Sequence, residues 1–317
     1  MLFILFYHLM CGVALNNPDI LAYKASWITP HLAVVCFVLI SGWFHIKPTL
    51  VGGCKLIWPL LLFYLPFTLY DIMHGNQSIV NLMFFSRSPY WFIRMYFCLF
   101  LLSPLLNWFL DNRTKTEKTM LVLALGFISV YLGCVHEDSL ETGKNVPMFM
   151  FLYALGDYLR SNSDRLSRIT TSKLWVLWII SNVIYVLLYM LSGSIGRFVV
   201  WQLCFRYCGP LMILNGVLFF LAFSRLKIRS KAINYISASV LSVYVIHHNE
   251  LILRELNGVT GWISTESPTP IMTLIGVLGL SIIVFFACVA LDKLLQPVTK
   301  VVLSKVKELQ TSSEIVN

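Results

Sequence analysis

Long, nearly uninterrupted apolar runs are the feature of this sequence that most constrains its fold. A helix needs about 20 mostly apolar residues to cross the hydrocarbon core of a bilayer, and the chain repeats that pattern about ten times. Only 12% of its 317 residues are charged, and the mean hydropathy is +0.76. A soluble chain of this length requires more polar surface. We therefore predict an all-α, polytopic membrane protein with about ten transmembrane helices, forming a single domain over residues 1–317. The predicted spans are residues 1–15, 27–45, 55–74, 89–110, 119–136, 147–160, 174–192, 198–223, 233–253 and 270–292.

The distribution of basic residues predicts how these spans are oriented. Short cytoplasmic loops of membrane proteins carry an excess of Lys and Arg. With the N-terminus in the cytoplasm, the inner segments hold 17 basic residues and the outer segments hold five. This places both termini in the cytoplasm and makes residues 294–317 a cytoplasmic tail. The net charge of +9 is then explained by topology and requires no nucleic-acid partner.

The first predicted span is unusually short. Fifteen helical residues rise about 22 Å, whereas the hydrocarbon core is roughly 30 Å thick. We therefore expect either that further residues precede Met1, so that the sequence has a truncated N-terminus, or that the helix end is drawn into the bilayer.

Neither the cysteines nor the adjacent histidines indicate a metal site. None of the eight cysteines forms a CxxC pair, so the spacing predicts no zinc site and no redox pair. His247 and His248 would point about 100° apart on a helix and make a poor chelate. We predict no bound metal and no bound cofactor.

Ionisable side chains inside the predicted spans are the candidates for chemistry, because they are costly to bury in a membrane. An imidazole titrates near neutral pH and can accept a proton from a hydroxyl group. An arginine can stabilise an oxyanion or hold an anionic group. The residues concerned are His8, His31, Arg94, Arg206, His247 and His248. All but His31 and His248 are assigned to one outer layer of the membrane, whereas His31 is expected at the outer interface. From composition alone, His8 can equally be a packing residue, and either arginine can snorkel to the headgroups.

The span 233–253 contains the sequence SASVLSVYVIHHNE. Tyr244 precedes His247 by three residues and His248 by four, so on a helix it can contact either ring. Ser242 and Asn249, seven residues apart, would share another face. A helix with this many hydrogen-bonding groups is expected to line a cavity or to pack inside the bundle.

On the predicted inner side, Lys55 follows a Gly52–Gly53 turn and opens the third span. Lys47 lies close by in the sequence. A cation at this position suits the phosphates of a nucleotide-bearing donor, but it suits a positive-inside membrane anchor equally well.

Six stretches, in order along the chain, together resemble the integral-membrane acyltransferase family 3, which includes O-acetyltransferases of bacterial surface polysaccharides. Each stretch alone is weakly diagnostic, and their common order makes the resemblance specific. They are LFILFYHLMCG, VVCFVLISGWF, KLIWPLLLFY, YWFIRMYFCLFLLSPLLN, FMFLYALGDYL and SVLSVYVIHHN.

The resemblance implies transfer of an acyl group, most simply acetyl, from cytoplasmic acyl-CoA to a glycan hydroxyl reached from the other side of the bacterial inner membrane. Acyl-CoA is then a co-substrate, and the expected partners are membrane lipids, the donor and the glycan, with no nucleic acid. His8 matches the family's helix-1 histidine and is the expected base. On the donor side we place Lys55 and Ser41. On the acceptor side we place Arg94, His247, Tyr244, Asn249 and Arg206.

The chain departs from the family pattern in two places. The basic pair before the helix-3 proline corresponds to Gly52 and Lys55, so one charge remains, as lysine. The family also carries an arginine upstream of its helix-1 histidine, but this chain begins seven residues before His8, which agrees with the expected longer N-terminus. Two other functions stay open: export or flipping of a polysaccharide or lipid-linked sugar, and a non-catalytic remnant. The absence of an internal sequence repeat counts modestly against a transporter.

Overall fold

The computed structural model of the chain describes residues 1–17, 20, 23, 28–75, 79, 90–135, 141–191 and 206–316, and all regular structure within these ranges is helical. The helices are α1 (Leu2–Asn16), α2 (Ile28–Phe44), α3 (Leu50–Pro59), α4 (Leu65–Met73), α5 (Trp91–Asn112), α6 (Lys115–Gly126), α7 (Gly133–Val135), α8 (Val146–Ser161), α9 (Ser163–Leu166), α10 (Thr171–Met190), α11 (Pro210–Ser224), α12 (Lys231–Ser237), α13 (Val240–His247), α14 (Glu250–Glu266), α15 (Pro270–Leu294) and α16 (Gln296–Val316). The π-helical segments Leu60–Tyr64 and Phe127–Leu132 continue α3 into α4 and α6 into α7, and Glu141–Gly143 is a 3-10 turn.

The all-α prediction is confirmed, but the number of ten spans is not. Within the described ranges, four helices are long and apolar enough to cross a membrane: Leu50–Met73, Trp91–Asn112, Thr171–Met190 and Pro270–Leu294. They correspond to the predicted spans 55–74, 89–110, 174–192 and 270–292. Three further apolar helices are shorter, and they lie within the predicted first, second and eighth spans. The beginning of the predicted span 198–223 lies outside the described residues.

Two predicted boundaries are wrong, and local capping explains both. The predicted span 233–253 is broken into α12, α13 and the start of α14. The second break occurs because Asn249 leaves the helical conformation and its side chain accepts a hydrogen bond from Leu251 N at 3.1 Å. Asn is among the favoured N-cap residues. The predicted Gly52–Gly53 turn is instead the first turn of α3, where the Thr49 side chain accepts from Gly52 N at 3.0 Å.

The chain divides into two units. The first comprises Met1–Ser26, Pro48–Phe97 and Arg229–Asn317, and the second comprises Trp27–Lys47 and Cys98–Ile228. In the first unit, α1 packs against α14 and α15, α13 packs against α15 and the π-helical segment Leu60–Tyr64, and α16 packs against α3. The first unit is therefore built from segments that are far apart in the sequence.

The second unit is organised around α2, which packs against α8 and α11. The approach of α2 to α8 requires glycine on both helices. A side chain at Gly42 would overlap the backbone of Tyr153, and one at Gly156 would overlap the backbone of α2 at Leu39. Close helix approach through small residues is a common packing mode in membranes.

We predict that Gly42→Ala destabilises the protein by about 1–3 kcal/mol or more, because its methyl group meets rigid backbone rather than a movable side chain. The matched control is Gly12→Ala on α1, where an added Cβ has no neighbour within 4 Å. That substitution should be neutral or stabilising, since Ala favours helix over Gly by up to about 1 kcal/mol. Thermal unfolding in detergent measures both, and equal melting temperatures for the two variants would contradict this account.

A polar network lies beside this helix contact. The Tyr153 hydroxyl donates to Asn107 Oδ1 at 2.5 Å and accepts from Ile46 N at 2.9 Å. Asn107 Nδ2 in turn donates to Ile46 O at 2.8 Å. This network satisfies the backbone of the segment that follows α2, where helical hydrogen bonding has ended.

A buried carboxylate ties the same helix ends together. Asp157 is fully buried, and its oxygens lie 2.6 Å from Arg160 Nη2, 3.0 Å from His45 Nε2 and 3.6 Å from Lys118 Nζ. His45 has a φ of +57°, in the left-handed region, which histidine enters more readily than most residues. Since breaking a buried ion pair is strongly destabilising, we assign this cluster a structural role.

Candidate functional site

His8 lies in α1 of the first unit, against the C-terminal end of α13. Its ring is half-buried, and its centroid lies 4.1 Å from that of His248 with 13° between the ring planes. The His247 ring lies 5.2 Å away and the Tyr244 ring 6.5 Å away, centroid to centroid. Residues separated by more than 200 positions in the sequence therefore form one cluster, which we name the histidine cluster: His8, Tyr244, His247 and His248.

One hydrogen bond joins the imidazoles of His8 and His247, and a second joins His247 to the backbone. His8 Nδ1 lies 2.9 Å from His247 Nε2, and His247 Nδ1 lies 2.6 Å from the carbonyl oxygen of Val243, one turn earlier in α13. His247 is completely buried. Both of its ring nitrogens are therefore engaged inside the protein.

Aromatic rings enclose the cluster. Tyr90, just before α5, packs edge-on against Tyr244 and His248 with centroid distances of 5.8 Å to each. Its hydroxyl donates to Val245 O at 2.8 Å. Tyr64, in the π-helical segment after Pro59, packs edge-on against Tyr90 at 5.1 Å. An apolar, aromatic enclosure of this kind limits the access of water and strengthens electrostatic interactions within it.

The end of α13 explains how His247 and His248 both reach His8. The helix ends at His247, His248 is the C-cap, and Asn249 starts α14. Our sequence argument that Ser242 and Asn249 share one helical face is therefore wrong, because the helix ends between them. Asn249 is buried and acts as an N-cap, while its proposed role in substrate binding stays a prediction.

The predicted arginines lie in different units. Arg94 lies on α5 within the first unit, two residues after Phe92, whose ring lies 6.2 Å from that of Tyr244, centroid to centroid. Arg206 lies in the second unit, where it is buried and its Nη1 donates to Gly133 O at 3.3 Å. The structure thus brings Arg94 near the histidine cluster, whereas the shared site predicted for Arg206 stays a prediction.

Two other predictions fall in the second unit. Ser41, assigned to donor binding, donates from Oγ to Phe37 O at 2.9 Å within α2. The next residue, Gly42, supplies the close helix contact described above. His31 is buried within the protein, and its ring lies 4.2 Å from that of Tyr207, centroid to centroid. Its expected position at the outer interface stays a prediction.

A cavity of about 450 Å³ adjoins α13 in the first unit. Lys55 and Lys293 lie in its wall together with Asp292, and apolar groups of Trp58 and Leu241 line much of the remainder. Trp58 Nε1 donates to Thr299 Oγ1 at 3.0 Å, which fixes the indole against α16. The cavity therefore combines two cations and one carboxylate with an apolar wall.

One helix borders both the cavity and the histidine cluster. Leu241 and Ser242 of α13 line the cavity, and Tyr244 and His247 follow on the same helix. His247 lies five positions after Ser242, which is about 7.5 Å along the helix axis. A ligand in the cavity therefore needs to extend only a short distance beyond Ser242 to reach the level of the imidazoles.

Sequence reasoning missed three components of this arrangement. His248 was recognised as an intramembrane histidine but was given no role, although it stacks on His8. Lys293 was counted only as a topogenic charge, and Tyr90 was not singled out. The adjacent histidine pair in the sequence could have indicated the role of His248. The positions of Lys293 and Tyr90 depend on contacts between distant segments. Within the described residues, no group of three or more His, Cys, Asp or Glu side chains is arranged to hold a metal ion.

The helices of the described residues and the sequence comparison together define the class of this protein, a membrane acyltransferase. The family profile described as an acyltransferase domain, acyltransferase family 3, matches residues 1–293. The chain belongs to acyltransferase family 3, and the resemblance inferred from the six stretches is confirmed. Comparison with curated proteins and with solved structures found no match.

Proposed function

We propose that this protein transfers an acyl group, most simply acetyl, from acyl-CoA to a hydroxyl group of a cell-surface or secreted polysaccharide. The observation that carries the proposal is the position of His8, which is held against His247 and His248 beside the helix that also borders a cationic cavity. Family membership supports the acyltransferase reaction in general. The donor and the acceptor are those that the family resemblance implies.

In this reaction His8 acts as the general base. Its imidazole accepts the proton of the acceptor hydroxyl as that oxygen attacks the thioester carbonyl of the donor. The tetrahedral intermediate carries a negative charge on oxygen, which a guanidinium placed like that of Arg94 stabilises. When the carbon–sulfur bond breaks, the imidazolium returns the proton to the departing sulfur. The products are the O-acyl glycan and coenzyme A, and the enzyme is regenerated.

The cationic cavity is our candidate for the donor site. The ammonium group of lysine binds phosphate as a point charge. Both Lys55 and Lys293 line this space. The apolar wall formed by Trp58 and Leu241 suits the uncharged arm of the donor. The short distance from Ser242 to His247 along α13 would allow a thioester at the end of that arm to approach the base. The family has two basic residues before the helix-3 proline, whereas this chain has only Lys55. Lys293 supplies the second positive charge of the cavity.

The proposed function is tested by following a labelled acetyl group. Membranes containing the protein are incubated with acetyl-CoA carrying ¹⁴C in the acetyl group and with the glycan of the producing cell. We expect alkali-labile label in the glycan, because an O-ester is cleaved by base. A pure exporter or flippase would move the glycan without labelling it, and a non-catalytic remnant would do neither. Absence of label at a verified level of folded protein would overturn the proposal.

We also propose that both termini lie in the cytoplasm, on the basis of the 17-to-5 division of basic residues. The bacterial inner membrane is the location that the family resemblance implies. The residues at positions 114, 163 and 228 are exposed, so each can be replaced by a single cysteine in a cysteine-free background. A membrane-impermeant thiol reagent should reach them only from the cytoplasmic side. Labelling at position 163 from outside would contradict this orientation.

A further inference from the structure

We propose that His247 is a positioning residue: it holds His8 in the tautomer that carries its proton on Nδ1 and its basic lone pair on Nε2. The inference starts from two contacts, His8 Nδ1 to His247 Nε2 at 2.9 Å and His247 Nδ1 to Val243 O at 2.6 Å. It differs from the substrate-binding role predicted for His247 from sequence. Its relevance to catalysis rests on the proposed acyl transfer, whereas the tautomer itself is a property of the resting protein.

Donor and acceptor chemistry leaves one arrangement for a neutral His247. A carbonyl oxygen only accepts, so His247 Nδ1 carries the proton that is donated to Val243 O. In a neutral imidazole the other nitrogen is then an acceptor, and His247 Nε2 has its lone pair directed at His8. His8 Nδ1 must therefore be the donor in the contact between the two rings. For a neutral His8, this leaves the lone pair on Nε2.

Burial keeps His247 neutral. Its side chain is completely inaccessible, and among the described residues no carboxylate forms an ion pair with it. A buried charge without a counter-charge is strongly unfavourable. The doubly protonated form of His247, which would donate from both nitrogens and reverse the tautomer of His8, is excluded on these grounds.

The arrangement persists when His8 is protonated. An imidazolium carries protons on both nitrogens, so His8 Nδ1 still donates to His247 Nε2. Proton uptake and release therefore occur at His8 Nε2 without any change in the bond to His247. The ring of His8 keeps its orientation through a complete catalytic cycle, which is what a base that must accept and then return a proton requires. His248, stacked on the His8 ring at 4.1 Å, restricts the same ring from one face.

The direct test is the protonation site of His8 in the complete chain. The protein has seven histidines, so ring ¹⁵N labelling in bilayers and comparison with His8→Gln assigns the His8 signals. At a pH at which the imidazole of His8 is neutral, we expect Nδ1 to carry the proton and Nε2 to be unprotonated. An Nε2-protonated or a mixed population overturns the inference. This readout does not depend on acyl transfer, so a protein with the expected tautomer and no transferase activity would refute the proposed function alone.

Two substitutions at position 247 test the positioning role. His247→Gln keeps an acceptor oxygen for His8 Nδ1, because the terminal amide of Gln can lie where Nε2 of His247 lies, but it gives up the N–H donated to Val243 O. His247→Leu fills the space and offers neither group. We expect His247→Gln to retain turnover within about fivefold. His247→Leu should lose turnover by on the order of 10² or more, with the KM for acetyl-CoA unchanged, since the base is misoriented while the donor site is intact.

A purely structural role gives a different pattern. Loss of folded protein and of thermal stability would then accompany His247→Leu, and turnover per folded molecule would be unchanged. If both variants keep full turnover per folded molecule, His247 does not position the base and the inference fails. If His247→Leu does not fold, the ¹⁵N measurement on the parent protein and turnover by His247→Gln still decide the question.

Discussion

His8→Gln should lower the turnover of acyl transfer by on the order of 10²–10⁴, the usual contribution of a positioned general base. The amide of Gln has no group that titrates near neutral pH. It retains an N–H that can donate to His247 Nε2, the acceptor used by His8 Nδ1 in the structure. The folded yield should therefore remain close to that of the parent protein, apart from the lost stacking on His248. The effect is measured as radiolabel transferred to the glycan per folded molecule. The amount of folded protein is quantified by gel filtration in detergent.

The matched control for this experiment is His74→Gln. His74 is exposed, and its Nδ1 contacts Tyr70 O within the same short segment, so we assign it no function. His31 is unsuitable as a control, because it is buried against Tyr207 and its loss would confound stability with catalysis. Retention of transfer within a few-fold in His8→Gln would show that His8 is a packing residue. An equal loss in His74→Gln would show that the effect is not specific to the cluster.

Removing both cavity lysines should raise the KM for acetyl-CoA by on the order of 100-fold while leaving turnover at saturating donor unchanged. A single hydrogen bond to a charged group contributes about 1.5–3 kcal/mol, and each 1.4 kcal/mol is about tenfold in affinity. We take the lower end for each residue, because Lys55 is exposed and Lys293 is half-buried. Lys293 also lies over the Tyr235 ring, 4.1 Å from its centroid, so binding phosphate competes with an existing cation–π contact. Initial rates over a range of donor concentrations for Lys55→Ala, Lys293→Ala and the double variant provide the measurement.

Two controls make this prediction specific to phosphate. Lys305→Ala removes an exposed charge from α16 that does not line the cavity, and it should leave the KM unchanged. S-acetylpantetheine, a donor without the nucleotide phosphates, should react equally well with the parent protein and the double variant. A lysine-dependent KM for this truncated donor would mean that the lysines shape the cavity rather than bind phosphate. A change in KM with Lys305→Ala would indicate a general effect of surface charge.

The family stretches have different physical roles in the structure. Gly42 and Gly156 allow α2 and α8 to meet closely, and Asn107 binds the backbone after α2. These are packing requirements of the second unit. The stretches that contain His8 and His247 form the histidine cluster of the first unit. Sequence resemblance detected both kinds of stretch equally, but it could not separate packing from chemistry, because each kind constrains residue identity.

The prediction for Ser41 also shows that sequence resemblance cannot separate packing from chemistry. It was assigned to donor binding because it belongs to a family stretch, whereas in the structure its hydroxyl donates to Phe37 O in its own helix. A hydroxyl four residues after a helical carbonyl commonly bonds in this way. Its role in donor binding stays a prediction, and the neighbouring Gly42 carries the visible constraint of this stretch.

The sequence by itself determined the helical class, the family and most of the long apolar helices, because hydrophobic run length and residue order are local properties of the chain. In principle it also contained the break before α14, since Asn249 followed by Glu250 is a favourable helix start; the continuous apolar pattern around Tyr244 obscured that signal. Only the tertiary structure decided that His8 meets His247 across 239 positions of sequence, and that Lys293 lies with Lys55 around one cavity. Such contacts depend on how distant helices pack, and helical periodicity specifies which face of a helix is apolar without specifying which partner covers it.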